Sequence, residues 1–143
     1  MLGRPTGYPP GPNYRAVVHL GTNEDDHTPT LRTNGLEIVT GRTVFHAGQF
    51  GMSLVCRKCG FSSGGSNAWS QAVEEWYKAS GDGRLACSQC GHEEPVTEWA
   101  YNPPWGFGNL GFTFWNWPRL EPSFVAEFSV HLAHRTVLVC GKI

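Results

Sequence analysis

The sequence predicts an α+β protein, in which a small mixed β-sheet and two helices accompany an inserted module with four cysteines. Three observations lead to this class: β-prone segments bounded by turn residues, two stretches with apolar residues at helical spacing, and a repeated C-x-x-C-G sequence. A chain of 143 residues has about the length of one domain. We expect residues 14–143 to form that domain, preceded by a flexible Pro/Gly-rich arm at residues 1–13.

The first 55 residues of the chain contain most of the predicted β segments. Those segments are residues 15–20, 30–33, 36–40, 43–46 and 52–55. Asn34-Gly35 joins the second segment to the third at a spacing that suits a type I′ hairpin. Gly41 predicts a break before the fourth segment, and the fifth leads directly into the first pair of cysteines.

The most informative motif is the C-x-x-C-G knuckle, which occurs at residues 56–60 and again at residues 87–91. Together the knuckles supply four thiolates, those of Cys56, Cys59, Cys87 and Cys90. Four thiolates complete the tetrahedral shell of one structural Zn²⁺, and the two-residue gap lets both sulfurs of a knuckle reach the same ion. The glycine after each second cysteine permits the positive φ that such turns often require. We therefore predict one structural zinc ion.

Other chemistries remain open for these cysteines at this point. Disulfides, a redox-active C-x-x-C, an iron site and buried free thiols are the alternatives, and His92 could replace one cysteine as a ligand. The sequence starts without the apolar segment of a secretory signal and has no run long enough to span a membrane, which predicts a cytoplasmic protein. Cys140 lies in an apolar run and is expected in the core.

The insert between the knuckles, residues 60–86, is predicted to contain a helix. Its apolar residues recur at helical spacing: Trp69, Val73, Trp76 and Tyr77. Gly81 and Gly83 follow as stop signals, and we expect the apolar stripe to pack against the metal site rather than to line a ligand groove. Over residues 52–95 the chain resembles the zinc-ribbon class, in which two knuckles on paired β turns clamp a structural metal. The resemblance implies the ligand role of the four cysteines and no particular function.

The charge of the chain does not favour a nucleic-acid partner. The sequence has 11 Lys and Arg against 12 Asp and Glu. Between Cys56 and Glu98, four basic residues stand against six acidic ones, a net charge of −2. A zinc ion held by four thiolates adds two further negative charges, so the module is poorly suited to a phosphate backbone.

The second informative feature of the sequence is an aromatic-rich segment at residues 99–117. Residues 111–117 predict a strand with Phe112 and Phe114 on one face and Trp115 and Trp117 on the other. Burial on both faces would explain this pattern, and so would an exposed aromatic face that binds a partner. The candidate partner-binding residues are Trp105, Phe107, Trp115 and Trp117. Trp105 follows paired prolines and is expected in the more exposed part of the segment.

The G-x-G-x-x-G sequence at residues 106–111 lacks the strand-before-helix context of a dinucleotide site, so its glycines are expected to form a tight loop. Near the C terminus, apolar residues at helical spacing predict a helix after Pro122. Residues 135–140 predict a strand, which would complete a β-α-β unit. The chain from residue 107 onward weakly resembles small bacterial proteins of unassigned role.

The remaining candidate sites are less specific. His131 and His134 could ligate a second metal, although ordinary interfacial histidines are the simpler interpretation. The acidic run at residues 24–27 could bind a cation or a basic partner, or form a solvated turn. The sequence contains no phosphate-loop or H-E-x-x-H motif, and four thiolates leave no open position for catalysis on zinc.

Three functions are compatible with these observations. The one we favour is a non-enzymatic, zinc-stabilised protein-binding module, an adaptor or an immunity-type inhibitor of a bacterial toxin, which uses an aromatic surface against a protein partner. A nucleic-acid-binding zinc ribbon is the second, and a small enzyme with a purely structural zinc is the third.

Overall fold

The protein is an α+β structure of two helices and several short strands, as a computed structural model describes it for residues 7–20 and 33–142. The strands are β1 (Gly35–Phe45), β2 (Ser53–Val55), β3 (Ser62–Ser63), β4 (Arg84–Ala86), β5 (Glu93–Pro95), β6 (Ala100–Asn102) and β7 (Gly106–Trp115). The helices are α1 (Asn67–Lys78) and α2 (Pro122–Leu132), with a short 3-10 helix at Tyr14–Ala16. The predicted fold class is confirmed, with the strands divided among three small sheets instead of one.

The chain divides into two compact units. The knuckle unit comprises Arg42–Gly108 and Val137–Ile143, and the α2 unit comprises Met1–Gly41 and Asn109–Thr136. The boundary falls within β1 and within β7, which pair with each other as a two-stranded sheet. The single domain that the sequence predicts at residues 14–143 stays a prediction.

The knuckle unit is built from two β-hairpins with α1 between them in the chain. Strand β2 pairs antiparallel with β3 and with β6, and β4 pairs antiparallel with β5. Helix α1 begins where the Ser66 hydroxyl accepts a hydrogen bond from the backbone N–H of Trp69. Three residues of its predicted stripe pack as expected, because Trp69, Val73 and Trp76 lie against the buried core. The fourth, Tyr77, is 55% exposed and does not.

Helix α1 ends earlier than the glycines predict. Ala79 takes the left-handed conformation directly after Lys78, and the N–H groups of Ala79 and Ser80 turn back onto helix carbonyls. Gly83 instead serves a close approach, because a Cβ at this position would lie 2.6 Å from the carbonyl oxygen of Ala72. Its φ of +58° is also one that glycine adopts more readily than other residues.

The α2 unit is held together by aromatic contacts. Phe112 on β7 packs edge-to-face on Phe128 of α2, with ring centroids 4.9 Å apart. Phe114, two residues along the same face, contacts Phe124 and Trp117. A short antiparallel bridge between Val18 and Leu120 adds backbone pairing. The rings of this aromatic cluster are half-buried, and none is completely enclosed.

Several of the predictions for the β segments are wrong. Residues 15–20 form the 3-10 helix and one bridge, because the N–H groups of Ala16 and Val17 are satisfied locally by carbonyls three residues earlier. Strand β1 continues through Gly41 without a break. The other arm of the predicted hairpin, residues 30–32, lies outside the described residues.

The predictions for the glycine-rich segment and the C terminus also need correction. Residues 106–111 belong to β7 and form no tight loop, so that strand begins five residues before its predicted start. Residues 135–140 form no strand, and the only bridge nearby joins Lys142 to Gly48, so the β-α-β unit is absent from this described segment. Cys140 is consequently exposed and does not lie in the core.

Candidate metal centre

The two knuckles have the same backbone geometry. The N–H of Cys56 donates to the carbonyl of Phe61, and the N–H of Gly60 donates back to the carbonyl of Cys56, both at 2.9 Å. In the second knuckle, Cys87 donates to His92 at 2.7 Å, and Gly91 donates to Cys87 at 2.9 Å. Both glycines have the predicted positive φ, +73° and +68°. Each knuckle therefore forms the tip of a hairpin, β2–β3 for the first and β4–β5 for the second.

The knuckles bring their four sulfurs into one cluster. The ligand atoms of Cys56, Cys59, Cys87 and Cys90 all lie within 4.8 Å of one another. Across the knuckles, Cys56 Sγ lies 3.7 Å from Cys90 Sγ, and Cys59 Sγ lies 3.8 Å from Cys87 Sγ. This spacing suits sulfurs that share one metal ion at about 2.3 Å from each. The sequence prediction that these four residues form one metal site agrees with the geometry.

Backbone N–H groups directed at the first sulfur of each knuckle favour its thiolate. The N–H groups of Cys90 and Gln89 lower the pKa of the Cys87 thiol to about 7, against the opposite effect of burial. The N–H of Cys59 likewise lowers the pKa of Cys56. Both first cysteines are therefore prepared as ligands before a cation arrives, because a metal binds the thiolate.

The second cysteine of the first knuckle behaves differently. The N–H of Phe61 lowers the pKa of Cys59, but desolvation and hydrogen bonding with the neighbouring thiols outweigh it and raise that pKa to about 12. Four thiolates this close repel one another in the absence of a cation. A metal ion must therefore displace protons on binding, which makes its affinity fall at low pH.

The cluster is anchored on the buried core of the knuckle unit. Cys56 and Cys87 are almost completely enclosed, and they pack in one apolar cluster with Leu54, Val96 and Trp99. Cys59 and Cys90 lie at the exposed side. Two cysteines of the site are therefore buried in the core, and the other two face solvent.

The alternatives for the cysteines are weakened by this arrangement. A redox motif of the thioredoxin type places its first cysteine at the start of a helix, whereas α1 begins at Asn67, well past the first knuckle. All five cysteines are free thiols. His92 is not part of the cluster, and its Nε2 lies 3.8 Å from a carboxylate oxygen of Glu94. Four thiolates leave no position for a substrate, so the arrangement suits a structural metal better than a catalytic one.

The predicted partner-binding residues divide between the two units. Trp105 stacks on Tyr101 at 5.8 Å, meets Trp69 edge-on at 5.5 Å, and has a buried indole N–H. Phe107 packs against the core beside Trp76. Both residues lie in the knuckle unit and are half-buried, so the expectation that the Trp105 loop is the exposed part of the segment does not match its packing.

Trp115 and Trp117 lie in the α2 unit. Trp115 donates its indole N–H to Glu37 at 2.7 Å. Asn116 has a φ of +55°, which ends the strand alternation and brings Trp117 onto the ring of Phe114 at 5.2 Å. The predicted separation of Phe114 and Trp117 onto opposite faces is therefore wrong. The partner-binding role of these residues stays a prediction.

Two further candidates gain no support. Within residues 7–20 and 33–142, the four cysteines are the only group of three or more side chains placed to hold a metal, so His131 and His134 acquire no third ligand there. The acidic run at residues 24–27 lies outside the described residues. None of the described helices is both long and apolar enough to cross a membrane.

The sequence patterns described above predict helix α2 but not its exposure. Only Glu127 is acidic among its residues, the helix contributes no buried residue, and Val130 is 77% exposed. The absence of a polar stripe opposite Phe124 and Phe128 is the sequence signal that could have shown it.

No family model matches the chain, and no match was found among the curated proteins or the solved structures. The zinc-ribbon resemblance therefore depends on the two knuckles and their hairpins alone. The resemblance of the C-terminal part to small bacterial proteins has no support from these comparisons.

Proposed function

We propose that the protein is a non-enzymatic protein-binding module whose fold is clipped by one structural zinc ion. Zn²⁺ is the ion that suits the site best, because closed four-thiolate shells on paired turns are typical of structural zinc. Cys56, Cys59, Cys87 and Cys90 hold it, and the ion joins the tips of the two hairpins.

The observation that carries the binding role is the apolar, unburied surface of α2. A helix of eleven residues with one acidic side chain and no buried residue leaves apolar area in water. Val130 is the most exposed large apolar side chain of the described residues, at 77%. Exposed apolar surface is typical of protein interaction sites. The rings that pack on α2 are only half-buried, which leaves part of their area open to a partner.

Binding through this surface is steric in mechanism. The module covers a partner's functional surface with an apolar helix, as an adaptor or an immunity-type inhibitor does, and it needs no reacting group. The charge of the knuckle region supports a protein partner over nucleic acid, because Arg57, Lys78 and Arg84 each form an ion pair with a nearby glutamate. Few of its basic side chains therefore remain to contact phosphates.

The proposal is tested by metal analysis and by capture of partners with matched variants. We expect one zinc per chain in the purified protein. Val130→Asp places a charge on the proposed surface, and Ser70→Asp places one on an exposed position of α1 as the control. Wild type and Ser70→Asp should capture the same protein in equal amounts from a lysate of the source cells. Val130→Asp should capture about 10-fold less of that protein.

Two results would contradict the proposal. Equal capture by Val130→Asp and wild type would remove α2 from the interface. Retention of nucleic acid in place of protein, lost on raising the salt concentration, would favour the nucleic-acid-binding alternative.

A further inference from the structure

Each knuckle exposes its second cysteine and buries its first. Cys59 and Cys90 are exposed, whereas Cys56 and Cys87 are almost fully enclosed. The space beside the exposed cysteines is open, because a Cβ added at the following glycine, Gly60 or Gly91, would meet no atom within 4 Å. A small oxidant can therefore reach one sulfur in each knuckle without any opening of the fold.

The buried sulfurs stand across from the exposed ones. The pairs Cys56–Cys90 and Cys59–Cys87 each combine a buried sulfur from one knuckle with an exposed sulfur from the other, at 3.7 and 3.8 Å. A disulfide bond is about 2.05 Å long, so each pair needs a closure of less than about 2 Å. The knuckle backbones are held by their own hydrogen bonds, so the proposed closure uses rotation of the cysteine side chains.

We propose that the metal centre is a redox switch, in which a hydroperoxide exchanges the bound zinc for two disulfides that cross between the knuckles, Cys56–Cys90 and Cys59–Cys87. This inference rests on the zinc occupancy proposed above and is independent of the partner. The co-reactant is a hydroperoxide, which would reach the exposed thiolates before the buried ones.

The exchange balances as two identical oxidations. In each, an exposed thiolate attacks the hydroperoxide, the O–O bond breaks, and a sulfenic acid forms with release of an alcohol or water. The opposing buried thiolate then attacks that sulfur, and the S–O bond breaks to give a disulfide and water. Two hydroperoxides and four protons thus convert four zinc-bound thiolates into two disulfides, and the zinc leaves as a free divalent ion.

Pairing across the knuckles has a structural consequence that pairing within a knuckle lacks. Two cross-knuckle disulfides keep the tips of both hairpins joined after the metal leaves. Disulfides within Cys56–Cys59 and Cys87–Cys90 would release the tips from each other. The oxidised protein is therefore expected to remain folded without zinc, whereas the reduced, zinc-free protein loses its clip.

The test uses the full chain with Cys140→Ser, which removes the one exposed thiol outside the site. The zinc-loaded protein is treated with hydrogen peroxide while a chromophoric chelator reports zinc release, and the disulfides are mapped by peptide mass spectrometry. We expect release of one zinc and loss of four free thiols per chain, with Cys56–Cys90 and Cys59–Cys87 as the bonded pairs. A dithiol reductant with added zinc should restore both.

Hydrogen exchange gives a second measurement that does not depend on mapping. Amides of β2–β5 should stay protected in the oxidised protein and lose protection after chelation under reducing conditions. Disulfides within a knuckle, oxidation to sulfinic acid without disulfides, or zinc retained under peroxide would each overturn the proposal. A protein that contains no zinc before treatment would instead contradict the metal assignment, so the two failures are distinguishable.

Discussion

The knuckle unit and the α2 unit bury their apolar side chains in different ways. Apart from Val18, every fully buried apolar residue of the described chain lies in the knuckle unit, where Leu54, Val96 and Trp99 surround two of the cysteines. The α2 unit instead stacks half-buried rings edge-to-face, with Val18 as its one enclosed apolar side chain among the described residues.

This difference indicates where the proposed metal would contribute to the fold. A small unit with short strands has little apolar area to bury, and a metal clip supplies the missing free energy in such units. The four sulfurs occupy the edge of the enclosed core, so a metal held there would stabilise the core as well. The α2 unit has no such cluster in its described residues, and its helix buries none of its residues.

Metal removal should produce the largest difference between the two units, because it should destabilise the knuckle unit much more than the α2 unit. Structural zinc contributes on the order of 10 kcal/mol of binding free energy in small thiolate-bound domains, and this is lost when the ligands are protonated or chelated. We expect a strong chelator under reducing conditions, or Cys87→Ser, to abolish amide protection in β2, β4 and β5 with less change in α2. Hydrogen exchange measured by mass spectrometry distinguishes the two units.

The same experiment can contradict the comparison. Equal loss of protection in α2 and in the knuckle hairpins would show that the clip supports the whole chain. Unchanged melting after complete zinc removal would show that the apolar core suffices without it.

Truncation of one side chain in each unit should give the next largest difference. Leu54 is 1% exposed, and Leu54→Ala leaves a cavity that costs about 2–5 kcal/mol of unfolding free energy. Phe128 is the larger side chain but is half-buried, so we expect Phe128→Ala to cost less, about 1–2 kcal/mol. Denaturant unfolding of the zinc-loaded protein measures both. A greater loss for Phe128→Ala would reverse our ranking of the two units.

A pair of glycine substitutions should give the smallest difference, about 1 kcal/mol, and tests the packing of α1 within the knuckle unit. At Gly83 a Cβ would lie 2.6 Å from the carbonyl oxygen of Ala72 and 3.0 Å from Trp76 Cβ, at a φ of +58°. Gly83→Ala should cost about 2 kcal/mol, from backbone strain and from displacement of the helix. Thermal unfolding, with the metal content checked, measures the change.

Gly51→Ala is the matched control for this strain. Gly51 has a φ of +70° with no atom within 4 Å of an added Cβ, so only the cost of the left-handed backbone remains, about 1 kcal/mol. Equal effects at Gly51 and Gly83 would mean that the close approach to α1 contributes nothing.

The sequence alone determined the features that depend on local spacing. The two knuckles identified the four cysteines that cluster within metal-binding distance, because two residues between cysteines suffice to direct both sulfurs to one point. The period of Trp69, Val73 and Trp76 identified α1 and its buried face, because helical periodicity is a local property of the chain. The α+β class followed from the same local patterns.

Only the tertiary structure decided which strand-prone segments pair into sheets and which aromatic residues are buried. Residues 15–20 and 135–140 have strand composition, but a strand needs a neighbour, and neither segment finds more than single bridges nearby. The aromatic segment is divided in the same way, since Trp105 packs in the knuckle unit and Trp117 in the α2 unit. Composition shows that such residues are apolar, whereas burial depends on which surfaces the rest of the chain brings to them.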